Sequence, residues 1–359
     1  MESNAKKMRS SNIELLRIIT MLLIVMHHYV VNSGIAGQFD YNAITPNMLF
    51  LQFFGMWGKI GINVFILISG YFMCKSRLTV RRYMKVYAEY KFYVILFFII
   101  FAAAGLTALT LKGVFAAVFS TAYNAGKGFS ASFMIFYLFI PFYNYLINAM
   151  NEKAHRYLLI ILFIVFPVFT TVFFNVNIYN EIIWYAAIYF FAAYIRLYPN
   201  KYFDKNKYCV PALIVLVLGA FAGIVVIDLL CKRLGATGAY YYYFTDTPAK
   251  LLAFLIGIFM FLVFKNIRIK NSKLINIIAS TTFGVLLIHA GGDAMRDLIW
   301  VKLLHVSEMY TAPLYRLILH AFISCICVFA VCSLIDLARI YALEKPIFKY
   351  FDKRKKDQA

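Results

Sequence analysis

The chain has 359 residues, 63% of them apolar and only 14% charged, with a mean hydropathy of +0.75. Soluble domains run at about 45–50% apolar and about 25% charged, so this composition excludes a soluble globular fold, a disordered chain, a collagen-like repeat and a disulfide scaffold. The formal charge of +20, from 36 Lys and Arg against 16 Asp and Glu, would suggest nucleic acid on a soluble chain, and here its distribution decides its meaning.

The apolar residues come in unbroken runs, such as 92–104, 158–168 and 211–227. Unbroken runs write lipid-crossing helices, whereas the strands of a membrane barrel alternate in polarity. In chain order the runs predict spans at about 12–31, 49–72, 88–108, 131–150, 157–174, 182–195, 209–230, 249–264, 274–290 and 313–335. The expected fold is an all-α polytopic integral membrane protein with about ten transmembrane helices. Of the 36 basic residues, 26 fall in the N-terminal segment and every second loop thereafter, ending in the tail. Cytoplasmic loops collect Lys and Arg, so both termini are expected in the cytoplasm, and the charge reads as topology with no role for nucleic acid.

Lys6, Lys7 and Arg9 precede the first apolar run as in a signal peptide, but Arg17, His27 and His28 interrupt that run and no small-residue cleavage site follows. The first span is therefore read as retained. The organisation expected is one transmembrane domain over 1–359, with a short basic segment at 1–11 and a basic tail at 339–359 suited to anionic lipid. Cys325, Cys327 and Cys332 share the last span and read as small packing residues, so no metal is expected.

An ionisable side chain inside a span is costly, which makes each one a candidate site. The first span carries Glu14, Arg17, His27 and His28. At 100° per residue, His28 lies about 20° from Arg17 and Glu14 about 40° from His28, whereas His27 points about 80° away from Arg17. One helix face thus holds a fixed cation near the cytoplasm and an imidazole about 16 Å further out. The bland alternative is a structural Glu14–Arg17 pair and a histidine satisfied by a neighbouring helix. The second span brings Gly55, Gly58 and Gly61, which permit close helix contact, and ends in Ser69-Gly70-Tyr71 at the depth of Arg17. Arg81, Arg82 and Lys85 follow on an amphipathic segment, either as a clamp for a phosphate-rich cytosolic ligand or as an ordinary positive loop.

Leu15-Leu16-Arg17 with ten residues before His28, then Gly61, Phe65, Ser69-Gly70-Tyr71 and a basic segment, resembles the membrane acyltransferase-3 family. Tyr137 to Asn144, Tyr194-Ile195-Arg196 and Ser280 to His289 resemble later spans of that family, so the likeness covers nearly the whole chain. The resemblance implies a ten-helix enzyme of the bacterial plasma membrane that moves an acyl group, usually acetyl, onto envelope carbohydrate. It implies acetyl-CoA or another acyl-CoA as donor, a glycan or lipid-linked glycan as acceptor, and either direct transfer or hand-off to a separate extracytoplasmic acceptor protein. Some relatives carry an attached SGNH domain, which is not expected here.

In that scheme His28 is the general base or transient acyl carrier, Arg17 holds the pantetheine or pyrophosphate end of the donor or polarises the thioester carbonyl, and Glu14 orients or charge-balances Arg17. Arg81, Arg82 and Lys85, with Ser69 and Tyr71, belong to the donor side, and His289 is a second acid/base or a structural residue. Tyr242, Asp246 and Asp293 are the candidates on the acceptor side, although an interfacial aromatic belt is the favoured reading of the tyrosine run 240–243. Departures from the family pattern are Glu14 for a frequent Asp, Lys85 for a frequent Arg and Ala88 for a frequent Pro. A transporter or flippase for a glycan precursor is the competing class.

Overall fold

The computed structural model describes residues 10–173 and 178–357, with side chains as far as Phe351. Lys6, Lys7 and Arg9, and the last residue of the expected fifth span, lie outside the described residues. Helix accounts for 78% of the chain and no strand occurs among the described residues.

In chain order, α1 (Ser11–Val31) is followed by α2 (Pro46–Gly55) and α3 (Gly58–Met73), which together make one crossing. Next come α4 (Val80–Ala103), the short α5 (Leu111–Val118) and α6 (Ser120–Tyr123), and α7 (Phe129–Ala149). The π-helical stretch Ile164–Val168 joins α8 (Glu152–Phe163) to α9 (Phe169–Val172), before α10 (Glu181–Leu197), α11 (Asn206–Leu234) and α12 (Leu251–Asn266). Then α13 (Lys273–Ala279) and α14 (Thr282–His289) run to a sharp break before α15 (Asp293–Arg296), and α16 (Leu314–Arg339) leads to α17 (Lys345–Asp357).

Helices begin where the sequence supplies an acceptor for otherwise orphaned amides. Thr45 Oγ1 accepts from the Met48 amide with Pro46 in the first turn, Thr79 Oγ1 accepts from the Arg82 amide, and Asn151 Oδ1 accepts from the Ala154 amide.

Among the described residues seven helices are long and apolar enough to cross a membrane, or eight if the pair Lys273–His289 and Asp293–Leu303, bent by 99°, is one span. The sixth and eighth expected spans are helical but short, at 17 residues for α10 and 16 for α12, against about 20 for a full crossing. Both are largely buried in protein, so their polar termini need not reach lipid headgroups.

The centre of the bundle is α1 and α3. Gly58 and Gly61 let them touch: a Cβ at Gly58 would fall 2.2 Å from the His27 ring and one at Gly61 2.6 Å from Ile24. Asn63 ties α3 to its other neighbours. Its Nδ2 donates to the carbonyls of Pro248 (2.8 Å) and Ala253 (3.1 Å), and the Trp184 indole donates to its Oδ1 (2.9 Å). Helix α11 is the opposite case, with only 11% of its apolar window buried inside the protein, which fits a lipid-facing position.

The described basic segments gather at one end of the bundle. Asn12 Nδ2 donates to the carbonyls of Phe264 (2.9 Å) and Lys265 (3.2 Å), the Ser272 amide donates to Ser11 Oγ (2.9 Å), and Asn206 Nδ2 donates to the Val263 carbonyl (3.2 Å). Lys85 pairs with Glu344 at 2.7 Å at the same end, where Asn144 Nδ2 donates to the Met73 carbonyl (3.0 Å). A reporter fused after Lys356 should therefore be cytoplasmic, and one inserted near Thr245, at the opposite end, should be outside. The reverse labelling in intact cells would invert the donor-side assignment below.

Candidate functional site

Two internal cavities lie end to end through the bundle, and Phe129 and Leu286 line both. The larger, about 420 Å3, is lined by His27 and His28 of α1, Lys59 of α3, Glu181 and the Gly291–Gly292 bend with Arg296. The smaller, about 160 Å3, is lined by Arg17, Met21, Ser69, Glu89, Tyr137 and Phe283. The 11-residue step from Arg17 to His28, about 16 Å of helix, thus carries α1 from one cavity to the other.

The histidine geometry defines the chemistry of the larger cavity. His289 ends α14, and its Nδ1–H donates to the Val285 carbonyl at 2.6 Å, because a carbonyl can only accept. A neutral His289 then offers the Nε2 lone pair, to which His28 Nδ1–H donates at 2.8 Å. The His28 Nε2 is left with its lone pair and with no hydrogen-bond partner among the described residues. Two imidazoles and a backbone carbonyl therefore hold the tautomer a general base requires. The C-terminal carbonyls of a helix also favour the cation that forms when such a base takes a proton.

His27 lines the same cavity, although the helical wheel turns it away from Arg17. Its Nδ1–H donates to the Gly55 carbonyl at 2.5 Å and its ring packs flat on Gly58, so it also joins α1 to the α2–α3 junction.

Glu14 Oε2 lies 3.5 Å from Arg17 Nε, the pair expected from the sequence. Ser69 shares the Arg17 cavity, and its hydroxyl donates to the Phe65 carbonyl (2.9 Å). Tyr71 lines neither cavity. Its hydroxyl accepts from Arg196 Nη1 at 2.9 Å, and the guanidinium lies 4.7 Å from its ring centre. Arg81, Arg82 and Lys85 come together in a third, open cavity of about 660 Å3, covered by Lys345, Phe348 and Lys349 of α17. Within it Arg81 lies over the Phe348 ring, Arg82 donates to the Arg77 carbonyl, and Lys85 is committed to Glu344.

Of the acceptor-side candidates, Tyr242 is buried, 6.4 Å from the His27 ring centre, with its hydroxyl against Gly55. Asp293 is fully exposed and pairs with Arg296 at 3.1 Å, and Asp246 is exposed in its loop. None of these three lines the cavity around His28.

Sequence reasoning misses two groups. The first is Lys59 and Arg296, which in the sequence count only as charges. The second is a buried network in which Arg339 meets Asp336 (2.7 Å), Glu344 (2.9 Å) and Glu89 (3.1 Å), while Tyr93 donates to Asp336 (2.8 Å). Arg339, the first residue of the expected basic tail, is instead buried at the foot of α16. Gly284 makes room for the network, since a Cβ there would fall 2.1 Å from Asp336 Cγ. The signal available in the sequence is Glu89 and Asp336, carboxylates inside apolar runs.

The fold and its buried charges define a multi-pass helical membrane protein with two adjoining cavities in its bundle. A family model described as an acyltransferase domain, Acyl_transf_3, matches residues 10–337, and the chain belongs to the acyltransferase 3 family. No curated protein and no solved structure matches it. Family and fold together make it a membrane acyltransferase in the general sense.

Proposed function

We propose that the protein transfers an acyl group, acetyl in the first instance, from cytosolic acyl-CoA to a hydroxyl of an envelope glycan at the bacterial plasma membrane. The observation that carries this reading is the meeting of the Arg17 and His28 cavities at Phe129 and Leu286. A donor entering beside Arg17 and an acceptor entering beside His28 would meet there without either crossing the membrane.

The CoA phosphates would rest against Arg81 and Arg82, with Lys345 and Lys349 of α17 completing the basic rim. Lys85, already paired with Glu344, contributes less. The pantetheine arm would lie along the Arg17 cavity, where the guanidinium holds it and Glu14 keeps that guanidinium oriented, and the thioester would reach past Phe129 and Leu286 to His28. His28 Nε2 takes the acceptor hydroxyl proton as that oxygen attacks the thioester carbon. The new C–O bond forms, the C–S bond breaks, and CoA leaves as thiolate to be protonated on the donor side. His289 holds His28 in the reactive tautomer and shares the charge, which makes it a positioning residue rather than a second base. A transient acyl group on the same nitrogen, passed outward in a second step, would use the same geometry.

A transporter for a glycan precursor is the second reading, favoured by the broken helix at Gly291–Gly292. Transporters of that type pair two broken helices, and one bent pair is present among the described residues. Purified protein in detergent should consume acetyl-CoA thioester faster when a glycan from the host envelope is added. Glycan uptake into vesicles with no thioester loss would replace the enzyme reading by transport.

A further inference from the structure

The cavity around His28 is cationic. Lys59, Lys127 and Arg296 line it against one carboxylate, Glu181. The carboxylate is partly spent, since Glu181 accepts from Ser132 Oγ at 2.5 Å. Lys59 sits half-buried in the first turn of α3, inside an apolar run, and makes no hydrogen bond or ion pair among the described residues. Asp246 acts on it only through space. Arg296 gives Nη1 to the exposed Asp293, while its buried Nε has no hydrogen-bond partner.

An ammonium with no carboxylate in contact and a buried guanidinium nitrogen with no acceptor are unfavourable among apolar helices, and both persist where an anionic ligand supplies the partner. We propose that the acceptor carries an anionic group, carboxylate or phosphate, close to the hydroxyl that is acylated, and that Lys59 and Arg296 bind it beside His28. Glu181 remains for the neutral hydroxyls of the same sugar unit. A volume of about 420 Å3 falls within the roughly 300–1,000 Å3 of small-ligand sites. This inference rests on the acyl-transfer reading for the word acceptor, but the anion site can be measured without turnover.

The test is binding to the full chain in nanodiscs, without acyl-CoA, of glucose, glucuronate, glucose 6-phosphate and undecaprenyl diphosphate. The anionic probes should bind about tenfold or more tightly than glucose, because each charge-assisted contact contributes on that scale. Lys59→Gln and Arg296→Gln should each remove most of that preference, and Lys59→Arg should restore it with an unchanged size-exclusion profile. Tighter binding of the lipid diphosphate places the anion on a lipid carrier, and tighter binding of glucuronate or glucose 6-phosphate places it on the sugar. Equal binding of glucose and all three anions, or wild-type anion binding by both Gln variants, overturns the proposal. Intact anion binding in a protein that never consumes acyl-CoA would reject acyl transfer and leave the anion site standing.

Discussion

His28→Ala should lower acyl transfer by roughly 100- to 10,000-fold, the span typical for loss of a general base. The substitution removes an imidazole nitrogen in the cavity held reactive by a second imidazole, through the His28–His289–Val285 chain. His289→Gln should cost far less than His289→Leu, because a Gln side-chain oxygen can still accept from His28 Nδ1–H, whereas Leu leaves that donor unpaired and frees the tautomer. His27→Ala should retain appreciable activity at matched membrane levels, with its loss appearing in abundance, since its ring fills the contact at Gly58. Rates for the four variants in the thioester assay decide the assignment. Equal loss from His27→Ala and His28→Ala would reject it, and equal effects of His289→Gln and His289→Leu would reject the relay.

Arg17→Lys should lower kcat by about tenfold or more even at saturating donor, because it keeps the charge and loses the planar fork that grips an oxygen through two donors. Neutralising Arg81 and Arg82 together should instead raise the KM for acyl-CoA and leave kcat nearly unchanged, since phosphate contacts are equal in ground and transition states. The contrast follows from position: Arg17 lines the narrow cavity next to Phe129, while the loop arginines line the open one under α17. Arg81 and Arg82 are exposed, so salt should shrink their effect, and that of Arg17 should persist. Donor titrations at two ionic strengths separate the two roles. An unchanged donor KM in the Arg81/Arg82 double variant would return those charges to topology alone.

Residues whose meaning depends on local order are legible in the amino-acid sequence. The helical face of Glu14, Arg17 and His28 follows from spacing, and the ion pair at 3.5 Å agrees with it. The glycines at 58 and 61 do what small residues do between membrane helices. The wheel is less informative for His27, because a cavity bounded by several helices receives side chains from a wider arc than one face. Asp246 and Asp293 are acceptor-side candidates on their chemistry alone, and loop geometry leaves both exposed.

By itself the sequence determined the class: helical, multi-pass, with basic segments in alternate loops and one helix bearing both a cation and an imidazole. These properties are local, since runs of apolar residues and a 3.6-residue period carry them. Only the tertiary structure decided that His289, 261 residues from His28, supplies its hydrogen-bond acceptor, and that Arg17 and His28 open into different cavities. It likewise decided that Tyr71 belongs to Arg196, and that Arg339 is buried among three carboxylates instead of starting a basic tail. The physical reason is the same in each case. In lipid a buried polar group must find its partner on another helix, and which helix comes alongside is set by packing across the bundle, not by neighbours in the chain.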